Sequence, residues 1–205
     1  MKLDRRIQKT RTAMKEALLT LMEEKDFPKI TITDIVSVSN INRGTFYKHY
    51  ESKEELFNDL INDVLRDLIL SYEKPFENTN HFHVKNLTSS AIHIFEHAKR
   101  HSRFYKILFT TSTFPDLDKK IIQIFRTMAI QDLLASNNHI EAPDPQILAD
   151  FSAYGLYGLL AEWVKGGFVH SPEYMAGQLL KILSFDFQQI VIDTSKRREE
   201  WGFIN

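Results

Sequence analysis

The 205-residue chain contains no cysteine, seven glycines and six prolines. The lack of cysteine excludes disulfides, thiol chemistry and cysteine-bound zinc. No apolar run approaches the length of a membrane span, and the N-terminal sequence MKLDRRIQKTR lacks the apolar segment of a secretory signal. We therefore expect a cytoplasmic protein that makes no use of a membrane, with a core built from the 43% of residues that are hydrophobic.

Sequence motifs of catalysis are also missing. The chain has no glycine-rich phosphate loop, no nucleophile elbow and no His-Glu-x-x-His helix. Its acidic residues are spread in the pattern of solvated helix faces rather than as a pair. We expect neither an enzyme nor a bound cofactor.

The charge is small in sum but unevenly distributed. The formal net charge is −1, yet residues 1–53 carry +4 and the remaining residues carry −5. A basic N-terminal region on an acidic body is the asymmetry expected when one end of a protein faces phosphates.

The most informative stretch is residues 31–53, TITDIVSVSNINRGTFYKHYESK. Its spacing predicts a short helix over 33–39, a turn at Asn40 and a second short helix from Arg43, capped by Asn42. Asn tolerates the left-handed conformation that such a turn requires. Ser52 and Glu55 then form a capping box at the start of a further helix. A short polar helix held on a small core is the geometry of a helix-turn-helix.

The sequence GTFYKHYESKEEL resembles the signature of the tetracycline-repressor (TetR) family of bacterial transcription regulators. The resemblance extends from about Arg11 to Leu56, and it is specific in order, spacing and residue type. Asn40 and Asn42 stand where the family usually has Gly and Ser, and Ser39 replaces a small Ala. The resemblance implies a three-helix DNA-binding domain followed by a helical domain for ligand binding and dimerisation.

The outward face of the second short helix supplies candidate DNA contacts. A guanidinium such as that of Arg43 can bind guanine O6 and N7, and Thr45 and Lys48 can reach base edges. The resemblance implies that Tyr47 and His49 contact phosphates. Thr33 and Lys53, at the starts of flanking helices, are expected to bind phosphates as well. For each residue the alternative is a solvated surface side chain.

The rest of the chain predicts helices throughout, and hence an all-α fold. A first helix over 5–25 completes the DNA-binding domain, residues 1–53, and a fourth helix over 52–73 connects it to a body of residues 74–205. Helices in the body are expected over 82–100, 102–111, 116–137, 144–166 and 171–193. Asp144-Pro145 and Ser171-Pro172 are typical helix starts, and Gly166-Gly167 is a typical helix end.

The last two helices predict a homodimer. Small residues recur three apart on the first of them, at Ser152, Gly155, Gly158 and Ala161, and glycine inside a helix suggests that another backbone passes close. The final helix is more apolar than one buried side requires; the residues are Leu179, Leu180, Ile182, Leu183, Phe187, Ile190 and Val191. The alternative is packing within one chain. The string YGLYGLLAEWVKGGFVHSPEYMA also resembles, more loosely, the regulators of dihydroxyacetone kinase within the TetR family.

Two further groups of residues in the body have open interpretations. Tyr154, Tyr157 and Trp163 are candidates for lining a pocket for a small-molecule effector, although aromatic residues more often form plain core. His93, His97 and His101 lie on one helical face, a spacing that suits a metal. The apolar stripe of that helix lies on a different side, so we expect these histidines to border solvent and assign no metal.

The resulting hypothesis is a ligand-responsive transcriptional regulator, in particular a repressor that binds a pseudo-palindromic double-stranded DNA operator as a homodimer. The alternative is a coactivator of the same fold that acts through a partner protein and binds DNA weakly. A helical interaction module that has kept the motif is a third class, because fold does not determine function.

Overall fold

The computed structural model describes residues 2–74, 88–89, 92–110, 114–135 and 143–184. These residues contain helices and no strand, which confirms the all-α prediction. The helices are α1 (Lys2–Glu24), α2 (Ile32–Val38), α3 (Arg43–Tyr47), α4 (Lys53–Glu73), α5 (Ile94–Arg100), α6 (Ser102–Thr110), α7 (Pro115–Ala135), α8 (Pro145–Lys165) and α9 (Pro172–Leu183), with a 3-10 turn at Phe27–Lys29. Among these residues no helix has both the length and the apolar character needed to cross a membrane.

Helix ends in the body follow the predicted capping chemistry. The Asp144 carboxylate accepts hydrogen bonds from the backbone amides of Gln146 and Ile147, at 2.9 and 3.2 Å. The Ser171 hydroxyl accepts one from the amide of Tyr174 at 3.1 Å. Gly166 ends α8 and Gly167 follows with a φ of 77°, a conformation that favours glycine. These three predictions are confirmed.

Two of the predicted body helices fall partly outside the described residues. The helix predicted over 82–100 is seen as Ile94–Arg100, and the helix predicted over 171–193 is seen as Pro172–Leu183. The predicted positions Phe187, Ile190 and Val191 of the final helix lie beyond the described ranges.

Helix α4 joins the N-terminal helices to the body. Its buried face, which includes Leu56, Leu60, Val64 and Leu68, packs against α1 at one end and α5 at the other. A second link is Arg103 of α6, whose guanidinium binds the Glu23 carboxylate of α1 at 2.8 Å. The division of the chain at residues 53 and 74 stays a prediction.

The predicted location of the histidine row is wrong for His97. This side chain is completely buried, because α4 passes over the helix face on which it lies. Its Nδ1 lies 2.9 Å from the Asp67 carboxylate of α4 and its Nε2 lies 3.1 Å from the Tyr105 hydroxyl of α6. The apolar stripe of one helix could not reveal a carboxylate supplied by another.

Candidate nucleic-acid interface

The start of α2 is held by a reciprocal cap. The Thr31 hydroxyl accepts a hydrogen bond from the amide of Asp34 at 3.2 Å, and the Asp34 carboxylate accepts one from the amide of Thr31 at 2.8 Å. The carboxylate also binds the Lys25 ammonium at 2.8 Å. The hydrogen bonds from Lys25 and Thr31 lower the pKa of Asp34 to about 2, so this cap is ionised at neutral pH.

The turn between α2 and α3 is made by Asn40, whose φ of 54° lies in the left-handed region. This confirms the predicted role of Asn where the family usually has Gly. The amide of Ile41 then donates to the carbonyl of Val36 at 3.1 Å, which closes the turn. The Ser39 hydroxyl donates to the Ile35 carbonyl at 2.6 Å within its own helix, so Ser in place of Ala leaves no unpaired hydroxyl there.

Helix α3 is fixed at its start by a cap and along its inner side by aromatic rings. The Asn42 side chain accepts hydrogen bonds from the amide of Thr45 at 2.7 Å and from its hydroxyl at 2.9 Å. Phe46 is 0% exposed and Tyr50 is buried. The regular helix ends at Tyr47, and the amides of Lys48 and His49 donate to carbonyls three residues back, so the last turn is tighter than an α-helix.

The outer side of α3 presents three polar side chains to solvent. Arg43, Tyr47 and Lys48 are exposed, while Thr45 and His49 are half-buried. The Tyr47 ring is 47% exposed and lies 5.7 Å from the Arg43 guanidinium, which also donates to the Tyr47 hydroxyl at 3.3 Å. This pairing places a cation and a phenol side by side on the face that would enter a groove.

The two candidates on the flanking helices differ from each other. Thr33 is exposed near the start of α2. The Lys53 ammonium instead donates to three backbone carbonyls, those of Phe27, Pro28 and Ile30, at 2.9, 3.0 and 2.7 Å. In this arrangement Lys53 fastens the loop between α1 and α2 to the start of α4. Its contact with phosphate stays a prediction, and it requires that the ammonium give up carbonyl partners.

Sequence reasoning missed an ionic cluster beneath α3. Asp59 of α4 binds the Arg11 guanidinium at 2.8 Å and the Lys15 ammonium at 2.6 Å, and it accepts a hydrogen bond from the Tyr50 hydroxyl at 2.6 Å. Lys15 also pairs with Asp63. The cluster ties α1, α4 and the residue that follows the α3 turn into one unit. The sequence does contain a signal for this cluster. Two basic residues lie four apart on one helix, Arg11 and Lys15, and two acidic residues lie four apart on another, Asp59 and Asp63.

Asp59 is ionised in this cluster although burial opposes its charge. Burial raises the pKa of a carboxyl, but hydrogen bonds from Lys15, Tyr50 and Arg11 outweigh that effect and lower the pKa of Asp59 to about 2. Burial and the bond to Asp59 raise the pKa of the Tyr50 hydroxyl, which therefore stays a donor. The base of α3 is thus fixed by charge as well as by packing.

The three candidate effector-binding residues do not line one cavity in this structure. Tyr154 is 62% exposed on α8, whereas Trp163 is buried against Phe95 and donates from its indole nitrogen to the His170 carbonyl at 3.1 Å. Tyr157 is partly buried and contacts the Phe109 ring of α6 edge-on. The effector role of the three stays a prediction, and Tyr157 has the surroundings that suit it best.

Two protein-family models match this sequence. The model described as bacterial regulatory proteins, tetR family, matches residues 16–60. A model described as transcriptional regulator C-terminal region matches residues 85–185. The first match contains α2, α3 and two residues of the ionic cluster, Tyr50 and Asp59, and the second contains most of the body.

The chain is similar to a curated protein of Bacillus subtilis, the HTH-type transcriptional regulator YxbF. The two are 29% identical over 195 residues, which make up 93% of this chain and 48% of YxbF. The chain therefore spans about half the length of this relative.

Solved structures show the same fold. NalD, the secondary repressor of the MexAB-OprM multidrug efflux pump in Pseudomonas aeruginosa, matches with a TM-score of 0.65 at 22% identity, over 91% of this chain and 99% of NalD. The dihydroxyacetone kinase operon activator DhaS matches with a TM-score of 0.61 at 17% identity, over 85% of this chain and 93% of DhaS. The second match agrees with the resemblance seen in the C-terminal sequence.

Proposed function

The chain belongs to the TetR family of bacterial regulatory proteins, and from that premise we propose that it is a ligand-responsive repressor that binds a pseudo-palindromic operator as a homodimer. The family consists of transcription regulators, not enzymes. The observation that carries the proposal is the outer face of α3 and of the residue that caps it. Arg43, Tyr47 and Lys48 are exposed there, while the inner face and base of the helix are held by packing and by hydrogen bonds.

The DNA-binding part of the proposal divides the contacts by role. Arg43 reads a base edge, with Thr45 and Lys48 beside it, because a guanidinium can form two parallel hydrogen bonds with guanine. Tyr47 and His49 bind phosphates next to the groove, and Thr33 does so from α2. Lys53 acts chiefly by holding the loop that orients α2.

The dimer is supported by an exposed apolar face on α8. Ile147, Phe151 and Tyr154 recur at four- and three-residue intervals, and they are 68, 75 and 62% exposed. Among the described residues, a Cβ added at Gly155 or Gly158 would meet no atom within 4 Å beyond the adjoining backbone of its own helix. A second copy can therefore approach closely along this face. Ile182 and Leu183 of α9 are also exposed, and they can add apolar contacts to the same interface.

An effector site is supported by the surroundings of Tyr157. Burial raises the pKa of its hydroxyl, and the carboxylate of Asp118 on α7 raises it further. The Asp118 Oδ1 atom is buried and, among the described residues, no group donates to it. Buried acceptors are normally paired, so an effector with an apolar body and one hydrogen-bond donor fits here, against Phe109.

The two activities are connected through α4. In the DNA-binding state the two α3 helices stand about 34–36 Å apart, the spacing of successive major grooves. An effector that binds better to a state with a different α4 orientation releases the operator, because α4 is continuous from the α3 turn to the body.

The test is selection of bound sequences from a random duplex DNA library, with purified protein and no added ligand. Recovery of a pseudo-palindrome is the expected result. Tyr47→Ala, which removes an exposed side chain without opening the core, should weaken binding to the selected DNA and flatten its salt dependence. Recovery of no specific sequence by a folded dimer would contradict the proposal and favour the coactivator.

A further inference from the structure

A polar cluster lies where α4, α5 and the start of α6 meet, away from the α3 surface. The Asp67 Oδ2 atom of α4 is 2.9 Å from His97 Nδ1 and 2.8 Å from His101 Nε2. One ligand-type atom from each of the three residues lies within 4.8 Å of the others. Asp67 and His101 are partly exposed and His97 is buried, so the cluster opens to solvent on one side.

We propose that Asp67, His97 and His101 bind a divalent first-row transition metal ion. Two imidazole nitrogens and one carboxylate oxygen form a ligand set that suits Zn²⁺, and that Ni²⁺ and Co²⁺ share. Three protein ligands leave a fourth position for water on the exposed side. The site does not include any residue that faces DNA or the surroundings of Tyr157.

Tyr105 supplies the supporting contact that metal-bound histidines commonly have. Its buried hydroxyl lies 3.1 Å from His97 Nε2, the nitrogen that faces away from Asp67. With the metal on Nδ1, the imidazole proton resides on Nε2 and is donated to the Tyr105 oxygen. Such partners fix the orientation and tautomer of the ring.

Metal binding requires an adjustment of the ligand atoms and the loss of one competitor. Tetrahedral bonds of ~2.0–2.1 Å place ligand atoms roughly 3.3 Å apart, so the present 2.8 and 2.9 Å separations must open by about half an ångström. The two imidazole nitrogens, which lie within 4.8 Å of each other, must come to the same spacing. The Arg100 guanidinium, itself 56% exposed, lies 2.8 Å from the same Asp67 oxygen. Arg100 can move into solvent, and its positive charge weakens binding without preventing it.

A bound ion would join α4 to the body by coordinate bonds. Because α4 also carries the ionic cluster beneath α3, the ion would favour one orientation of α4. This regulatory consequence rests on the proposed function, whereas metal binding itself does not.

The experiment uses the full chain without a histidine tag, freed of metal by a chelator and titrated with Zn²⁺ by calorimetry and with Co²⁺ by visible absorption, in the absence of DNA. We expect one ion per chain and the intense Co²⁺ bands of four-coordination. His101→Ala and Asp67→Asn should each weaken binding by at least about tenfold, since even the supporting partners of metal ligands are worth ~10–100-fold. Circular dichroism checks that both variants are folded.

Two matched controls carry opposite expectations. His93→Ala removes a histidine of the same row that pairs with Glu96 instead, and it should leave metal affinity unchanged. Arg100→Gln removes the competing charge and should tighten binding several-fold. Absence of stoichiometric binding, or equal binding by folded Asp67→Asn and wild type, would overturn the proposal, and neither result would bear on DNA recognition.

Discussion

Arg43 is the residue on which sequence choice is expected to depend. Arg43→Ala should relax the preference at one base position by about 1–3 kcal/mol, because two parallel hydrogen bonds to guanine are lost. Binding to unrelated DNA should change little by comparison. Affinities for a set of operators with single substitutions measure this, and an unchanged preference at every position would remove Arg43 from base recognition.

Asp59 is expected to contribute stability that depends on pH. Its pKa is lowered from 3.8 to about 2 in the folded protein, so its contribution is present above about pH 4 and is lost as the pH falls toward 2. Asp59→Asn should lower the free energy of unfolding by about 2 kcal/mol at pH 7, since Lys15 and Arg11 lose a charged partner.

The measurement for Asp59 is urea unfolding of both proteins between pH 7 and pH 2.5. The difference between wild type and Asp59→Asn should shrink toward the acid end. A difference that stays constant over this range would show that the carboxylate charge is not what Asp59 contributes.

The structural role of a single residue could be predicted from the sequence where a local pattern determines it. Asn40, Asn42 and Phe46 could be placed from the sequence because turn, cap and helix periodicity are properties of neighbouring residues. Lys53 and His97 could not, since their partners lie 23–26 residues away in the α1–α2 loop and 30 residues away in α4. Long-range pairing is not encoded in periodicity.

At the scale of elements, Lys53 connects the α1–α2 loop to α4. Lys53→Met keeps much of the side-chain packing on the Phe27 ring but removes the three donors to backbone carbonyls. We expect a loss of about 1–2 kcal/mol in the free energy of unfolding, because carbonyls bonded to a charged group lose their partner. DNA affinity should fall with it.

Lys48→Met is the matched control, since Lys48 is an exposed lysine on the outer side of the same motif. It should weaken DNA binding and leave the free energy of unfolding unchanged. Thermal unfolding and DNA titration of both variants separate the two roles. An unchanged unfolding temperature in Lys53→Met would show that Lys53 serves phosphate contact rather than the loop.

Helix positions in the body were largely predictable from local signals. The proline and glycine signals at residues 144–145, 166–167 and 171–172 placed α8 and the start of α9 within a residue or two. The regular part of α3 ends at Tyr47, because the amides of Lys48 and His49 bond three residues back. The tighter last turn brings Tyr50 against α1 and α4. Local helix propensity does not predict this turn, because it depends on tertiary packing.

At the scale of the whole molecule, the exposed face of α8 is expected to form the dimer. Phe151→Asp places a charge at a position that is 75% exposed in the single chain, and it should weaken dimerisation by about 2 kcal/mol or more if the ring is a buried anchor. Leu70→Asp, on an exposed position of α4, is the control and should leave the association state unchanged.

Sedimentation equilibrium over a range of concentrations checks this pair of variants. A Phe151→Asp protein that remains as dimeric as wild type would place the interface elsewhere. The small residues of α8 suggested from the sequence that this helix forms the dimer interface. Residue spacing alone cannot show that a second chain is present. The open space at Gly155 and Gly158 is the structural observation that adds support.

The most direct test of the central claim compares two DNA duplexes, the selected pseudo-palindrome and the same duplex with one half scrambled. A dimeric operator reader should bind the altered duplex at least about 100-fold more weakly, since each mismatched base pair costs ~1–3 kcal/mol. The complex on the intact duplex should contain two chains. Equal affinity for both duplexes, or one chain per duplex, would contradict the account.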